Sequence, residues 1–265
     1  KVHPFKDENI GKMEHLDAAT LEEFMAYHKT YYGPNNAVLI VAGDIDTDET
    51  KQLVKKYFDE VPRGNEVVRN FPKEEPISEN VRAIAYDRNI QIPMLLSSFR
   101  TPGFASRDSY VLDMISTYLS SGKSSVLYKK LVDNQKQALQ TQVINLGQVD
   151  YNIFAILALP LGDVSLDTLL TEIEEEIEKV QNELISERDH QKLLNKFESQ
   201  FVNSNSSIAG IANSLARYYL LYGDVNLINK EIDIYRSISR EEIRSVAQKY
   251  LSPNQRVDIE YLPGE

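Results

Sequence analysis

Four histidines are the first candidates for chemistry: His3, His15, His28 and His190. A catalytic zinc needs three fixed protein ligands, and two histidines one helical turn apart are the usual start. Neither His-Glu-x-x-His nor the inverse His-x-x-Glu-His occurs, and no two histidines are three or four residues apart. The absence of cysteine removes thiolate ligands, thiol nucleophiles and disulfides. The metal-site expectation for this chain is therefore none. His28 is read as a helix-flank residue, His15 and His190 as surface residues beside Glu14 and Asp189, and His3-Pro4 as a loop.

Other residue types imitate active sites without completing them. Ser120-Ser121-Gly122-Lys123 fits the Ser-x-x-Lys pattern in which a lysine activates a hydroxyl. The companion motifs Ser-Asp-Asn and Lys-Thr-Gly do not occur, so the plain reading is a connection between two helices. The wider run Thr117 to Ser124 misses the phosphate-loop pattern at Thr117, where glycine is needed. A helix rather than a strand precedes it, so no cradle of amides is expected. Asp44, Asp46 and Asp48 start like a calcium loop, but Glu49 replaces the turn glycine and Lys55 the bidentate acid. A strand end followed by a helix N-cap is the simpler reading. Glu172, Glu174, Glu175, Glu176 and Glu178 lie opposite an apolar stripe and read as a solvated helix face, with Glu175 and Lys179 as an i,i+4 pair.

The elements that carry these residues alternate in type. Thr20 with Glu23 fits a capping box opening a helix that ends at Tyr32-Gly33-Pro34. Ala37 to Ala42 is a short apolar run, predicted to be a buried strand, and Thr47 to Tyr57 a helix. Residues 62–80 hold three prolines and little periodicity, and read as a linker. Strands are expected at Val81 to Tyr86 and Ile90 to Phe99, helices at Arg107 to Leu119 and Ser125 to Val132, and a hairpin from Leu139 to Leu159. Leu166, Leu169, Leu170, Ile173, Ile177, Val180 and Leu184 form one helical stripe. Further helices fit 187–202, 206–222, 227–236 and 240–251, before a last strand from Arg256 to Tyr261.

Composition narrows the partners. The 265 residues carry 40 acidic and 29 basic side chains, a formal charge of −11, which disfavours a nucleic-acid partner. No run approaches the roughly 18 apolar residues of a membrane span. The compartment stays open, with bacterial cytoplasm and periplasm both compatible.

The chain also repeats itself. Residues 20–43 align without a gap to 239–262, at an offset of 219. Glu22/Glu241, Glu23/Glu242, Tyr31/Tyr250, Pro34/Pro253, Asn35/Asn254, Val38/Val257 and Ile40/Ile259 are identical. Each copy reads as a Thr/Ser-x-x-Glu cap, a helix, a break at x-Pro-Asn and a strand. The expectation is a duplicated unit whose second copy is nearly complete here, with most of the first lying upstream of Lys1.

Together these segments resemble a family. Thr20-Leu21-Glu22-Glu23, Tyr31 to Ala37 and Val41-Ala42-Gly43-Asp44 are similar to the end of a half-domain in pitrilysin/insulinase-type zinc metallopeptidases, which include mitochondrial processing peptidase. His3-Pro4-Phe5, Ile10-Gly11 and Tyr222-Gly223-Asp224 fit the same pattern. Leu119 to Tyr128 resembles the family's glycine-rich loop and following helix. The resemblance implies an α+β fold, mostly antiparallel sheet packed against helices, in a duplicated half-domain architecture with the first copy truncated. It implies residues 1–61 as the tail of the zinc-bearing half, 62–80 as the linker and 81–265 as the second, inactive half-domain. Zinc would belong to the parent protein and not to this chain, which should be inactive alone. The implied partners are the upstream zinc-bearing half or a homologous subunit, and a peptide enclosed between them. Ser121, Gly122 and Lys123 are the implied substrate contacts. An Arg and Tyr seven residues apart, used by some members, are replaced at the matching positions by Val132 and Leu139, so no direct catalytic role is expected. A peptide could also extend an exposed sheet edge through main-chain hydrogen bonds. The rival reading is a non-enzymatic scaffold or assembly subunit of the same fold.

Overall fold

The computed structural model describes residues 1–7 and 9–264. The chain divides into two compact units, Lys1–Glu75 with Ser204–Val225, and Pro76–Asn203 with Asn226–Glu265. The first break falls inside the proline-bearing 62–80 segment, which has no helix or strand. The segment Ser204–Val225 interrupts the second unit and groups with the first.

The second unit is built on a five-stranded sheet of β1 (Val81–Asp87), β2 (Met94–Pro102), β3 (Ala138–Leu146), β4 (Tyr151–Pro160) and β5 (Arg256–Pro263). Their order is β1-β5-β2-β4-β3. Only β1–β5 is parallel, and the three remaining pairings are antiparallel. The parallel pairing joins the first and last strands of the unit.

Three helices cover one face: α4 (Arg107–Ser120), α5 (Leu166–Asn182) and α9 (Arg240–Tyr250). Each strand side chain alternates faces, so Leu95 and Phe99 of β2 and Phe154 and Ile156 of β4 meet Leu112, Ile115, Leu119, Leu169, Ile173 and Ile243 in a dry core. The stripe on α5 is buried from Leu166 to Val180, whereas Leu184 lies beyond the helix and is exposed. A π-helical turn (Tyr128–Asn134), α6 (Glu187–Ser204) and α8 (Glu231–Arg236) complete the unit.

The first unit holds α1 (Met13–Ala18), α2 (Leu21–Tyr31), α3 (Thr47–Phe58) and α7 (Ile208–Tyr222). The expected capping box is present at Thr20: its hydroxyl accepts from Glu23 N, and the Glu23 carboxylate accepts from Thr20 N at 2.8 Å. Asp46 caps α3 by accepting from Asp48 N and Glu49 N, so the acidic triplet is an N-cap. Asn35 ties the turn after α2 to the 64–65 segment, accepting from Gly64 N and donating to Asn65 O.

Several expectations need correction. Ala37–Ala42 is extended but joins no strand, and Leu39 and Val41 are exposed. A lone strand closes no ladder, so its N–H and C=O groups turn to solvent. β2 starts at Met94, because Asp87–Asn89 forms a turn in which Asp87 accepts from Asn89 N. The acidic face of α5 is not simply solvated. Lys130 sits among Glu172, Glu175 and Glu176 at 2.7–3.1 Å, and Glu176 is buried. Burial pushes the Lys130 ammonium down, but the three carboxylates more than offset this and its pKa is raised. Lys179 pairs with Glu176, not with Glu175. His190 is half-buried, with Nε2 2.8 Å from Ile238 O. His3 is buried, its ring edge-on to Phe5 and Phe71.

Candidate functional site

The loop after α4 contains all three implied contact residues. α4 stops because Ser121 leaves helical geometry, its N–H still bonded to Thr117 O. Gly122 follows at φ +84°, a left-handed conformation that strains any residue with a Cβ, although the space beside it is open. Ser125 N then bonds back to Gly122 O and the chain re-enters a helix. Lys123 is exposed at the tip.

Two lysines of α6 hold this loop. Lys196 Nζ donates to the Ser121 hydroxyl and to Ser121 O, and Lys192 Nζ donates to Ser124 O at 3.2 Å. Burial, then the neighbouring Lys192, pull the Lys196 pKa below the usual ammonium range. The Ser-x-x-Lys reading does not survive: Ser120 faces away, its Oγ accepting from Val143 N at 2.6 Å and donating to Val143 O. Lys123 and Ser120 therefore form no activated pair. The lysines at 192 and 196 lay outside the sequence reading. Nothing local signals them, because Lys196 lies 75 residues from Ser121.

The sheet offers a second surface. Its helix-facing side is dry, while Leu96, Ser98, Leu157, Val257 and Ile259 on the other side are half-exposed and Ile153 is exposed. The two edges differ as well. β3 is stapled at Val143 by Ser120, whereas β1 presents an exposed edge. Beneath β5 the buried charges Arg256 and Asp258 face the helices. Arg256 Nε donates to Asp258, which also accepts from Ser97 Oγ at 2.6 Å and Asn80 Nδ2 at 2.7 Å. Arg256 reaches Glu174 at the rim of a 430 Å³ cleft between α5 and the end of α9.

The residues do not fit a metal. Among the described residues no group of three His, Cys, Asp or Glu side chains comes together to hold one. The His3 ring accepts from Phe5 N through Nδ1, and His190 is held at Ile238 O. No helix among them is long and apolar enough to cross a membrane.

The family model described as "Peptidase M16 inactive domain" matches residues 18–197. The zinc protease PqqE of Helicobacter pylori is 26% identical over 259 residues, which cover 97% of this chain and 58% of that protein. A probable mitochondrial-processing peptidase subunit beta of Arabidopsis thaliana is 23% identical, covering 91% of this chain and 47% of the relative. The chain thus spans roughly half the length of these relatives. Among solved structures, a protease from Helicobacter pylori superposes with a TM-score of 0.86 at 24% identity, covering 95% of this chain and 61% of that one. A peptidase M16 inactive domain from Pseudomonas fluorescens gives 0.82 at 14% identity, covering 97% and 61%. At these identities the superpositions establish the α+β fold.

Proposed function

Since this chain belongs to the M16 peptidase family through that family's inactive domain, we propose that it is the non-catalytic half that encloses a peptide beside a zinc-bearing half. The observation that carries the reading is the open face of the sheet. An ordinary sheet in a two-layer fold buries its apolar side and wets its polar side. Here β5 does the reverse: Arg256 and Asp258 are buried, and Val257 and Ile259 are turned to the open face. An apolar, half-exposed surface suits an unfolded peptide, because non-directional contact tolerates many sequences. The β1 edge adds main-chain hydrogen bonds for an extended segment. No step of bond cleavage is assigned to this chain, whose side chains supply binding surface only.

The partner half would supply zinc and the general base. Chelator-sensitive cleavage of a denatured peptide by this chain together with a zinc-bearing M16 half should exceed that of either alone. Cleavage by this chain alone overturns the reading. A pair no better than the zinc-bearing half alone also overturns it, and favours the scaffold or assembly role.

A further inference from the structure

A two-layer fold sets helices on a sheet, because neither layer can bury its apolar side alone. Among the described residues the first unit has helices and no strand. Its helices α1, α2 and α3 bury no side chain, and α7 buries only Tyr218. Residues 37–42 are extended, and among the described residues the N–H groups of 38–42 find no acceptor in the chain.

The internal repeat supplies a template for the missing layer. At the offset of 219, residues 37–42 correspond to 256–261 of β5. β5 is an interior strand, parallel to β1 on one side and antiparallel to β2 on the other. Its helix-facing Arg256, Asp258 and Glu260 map to Ala37, Leu39 and Val41, and its other face maps to Val38, Ile40 and Ala42. Both faces of 37–42 are therefore apolar, the pattern of a strand covered on both sides. Yet Leu39 and Val41 are 57% and 47% exposed.

We infer that residues 37–42 enter the sheet of the zinc-bearing half as an interior strand, between one parallel and one antiparallel neighbour, with α2 in that sheet's helix layer. This rests on the peptide-enclosing reading above and names the surface by which the chain joins its partner. Seated as α9 is, α2 buries Phe24, Tyr27 and Tyr32, the counterparts of Ile243, Val246 and Leu251. A second copy of this chain is a poorer occupant. Its exposed β1 edge offers one neighbour, where the template has two.

The test is residue-resolved amide exchange by NMR on the whole chain, alone and with a zinc-bearing M16 half, beside titration calorimetry of the pair. Alone, the amides of 38–42 should exchange at nearly the unstructured rate. In the pair every one of them should be protected, because successive N–H groups of an interior strand point to opposite neighbours. Ile40→Pro removes a ladder donor and should weaken the pair about tenfold or more, with the unfolding midpoint of the chain alone nearly unchanged. Leu39→Asp should also weaken it and leaves the backbone free to pair. Unchanged affinity in both variants overturns the inference. Protection of alternate amides only places the segment at a sheet edge and overturns it too. Protection in the chain alone, with dimers by sedimentation, makes a second copy the occupant and overturns it. A pair that forms and cleaves peptide while 38–42 stay unprotected overturns the inference and leaves the enclosing reading standing. No association and no gain in cleavage overturns both.

Discussion

Residues 20–43 and 239–262 share a sequence pattern and end in different structures. Both fold a capped helix followed by a 3₁₀ turn at Pro-Asn, at Pro34–Asn36 and Pro253–Gln255. In the second copy α9 buries Ile243, Val246 and Ala247, and Leu251 is 1% exposed. Their counterparts in α2 are Phe24, Tyr27, His28 and Tyr32, and Phe24, Tyr27 and Tyr32 are 55%, 59% and 70% exposed. The second copy continues into β5, held between β1 and β2. The first continues into an extended segment that joins no strand. Even the caps diverge. Glu23 returns to Thr20 N, whereas Glu242 is drawn away to Arg107 of α4, at 2.6 and 2.9 Å. Helix and turn are thus local properties, written in caps and prolines. Strand and burial are not local, since they require neighbours.

The sharpest way to break this comparison is to exchange residues between equivalent strand positions. Asp258→Leu removes the carboxylate that compensates buried Arg256 and should cost about 3–5 kcal/mol. The reciprocal Leu39→Asp, at a 57% exposed position, should change stability by less than about 0.5 kcal/mol. Urea denaturation followed by circular dichroism measures both. Equal effects would mean that residues 37–42 are packed in solution as β5 is.

Core truncation comes next. Ile243→Ala deletes a side chain 1% exposed and should destabilise the second unit by about 2–4 kcal/mol. Phe24→Ala should leave the urea midpoint nearly unmoved in this chain. If a zinc-bearing half seats on α2, Phe24→Ala should instead weaken that association, measured by titration calorimetry. Unchanged affinity would remove α2 from the contact.

Much of this architecture was legible in the sequence, and the parts that were not share a cause. The capping box at Thr20, the N-cap at Asp46 and the hairpin of β3 and β4 are set by residues near one another in the chain. The strand at 37–42 was misread because an apolar run signals the wish for a sheet, not its presence. The orientation of β5 could not be read from alternation, which turns Val257 and Ile259 inward. The buried Arg256–Asp258 pair reverses it, using Ser97 and Asn80 from 161 and 178 residues away. Of the site, Ser121, Gly122 and Lys123 were legible as a loop. Their clamp was not, because Lys196 is 75 residues from Ser121.

Cap removal should sort the copies by readout more than by size. Thr20→Ala and Ser239→Ala each remove a hydroxyl that accepts from the third helical residue, and each should cost about 1 kcal/mol. For Ser239 the loss should appear as a lower unfolding midpoint, because α9 is part of the core. For Thr20 it should appear as faster amide exchange in the first turn of α2, with the midpoint of the second unit unchanged. A midpoint shift in Thr20→Ala would show that α2 unfolds together with the sheet.

The smallest effect concerns a contact that only the second copy has. Asp108 of α4 accepts from Lys249 Nζ and from the Tyr250 hydroxyl, both at 2.7 Å. The first copy has Thr30 in place of Lys249 and cannot make the ion pair. Partial burial pushes the Asp108 pKa up, but its bonds to Lys249 and Tyr250 and the charge of Arg107 prevail, and the net shift is downward from 3.8. A carboxyl whose pKa is lowered on folding binds protons more weakly when folded than when unfolded. Its contribution is therefore complete above the unfolded value and is lost as pH falls through the folded one. Lys249 is largely exposed, which limits the pair to about 1 kcal/mol or less. Asp108→Asn should lower stability by a constant amount between about pH 5 and 8, and the difference from the natural chain should close below about pH 4. A gap that widens in acid would assign the acid sensitivity to other carboxylates, and α9 would then be held to α4 by its apolar face alone.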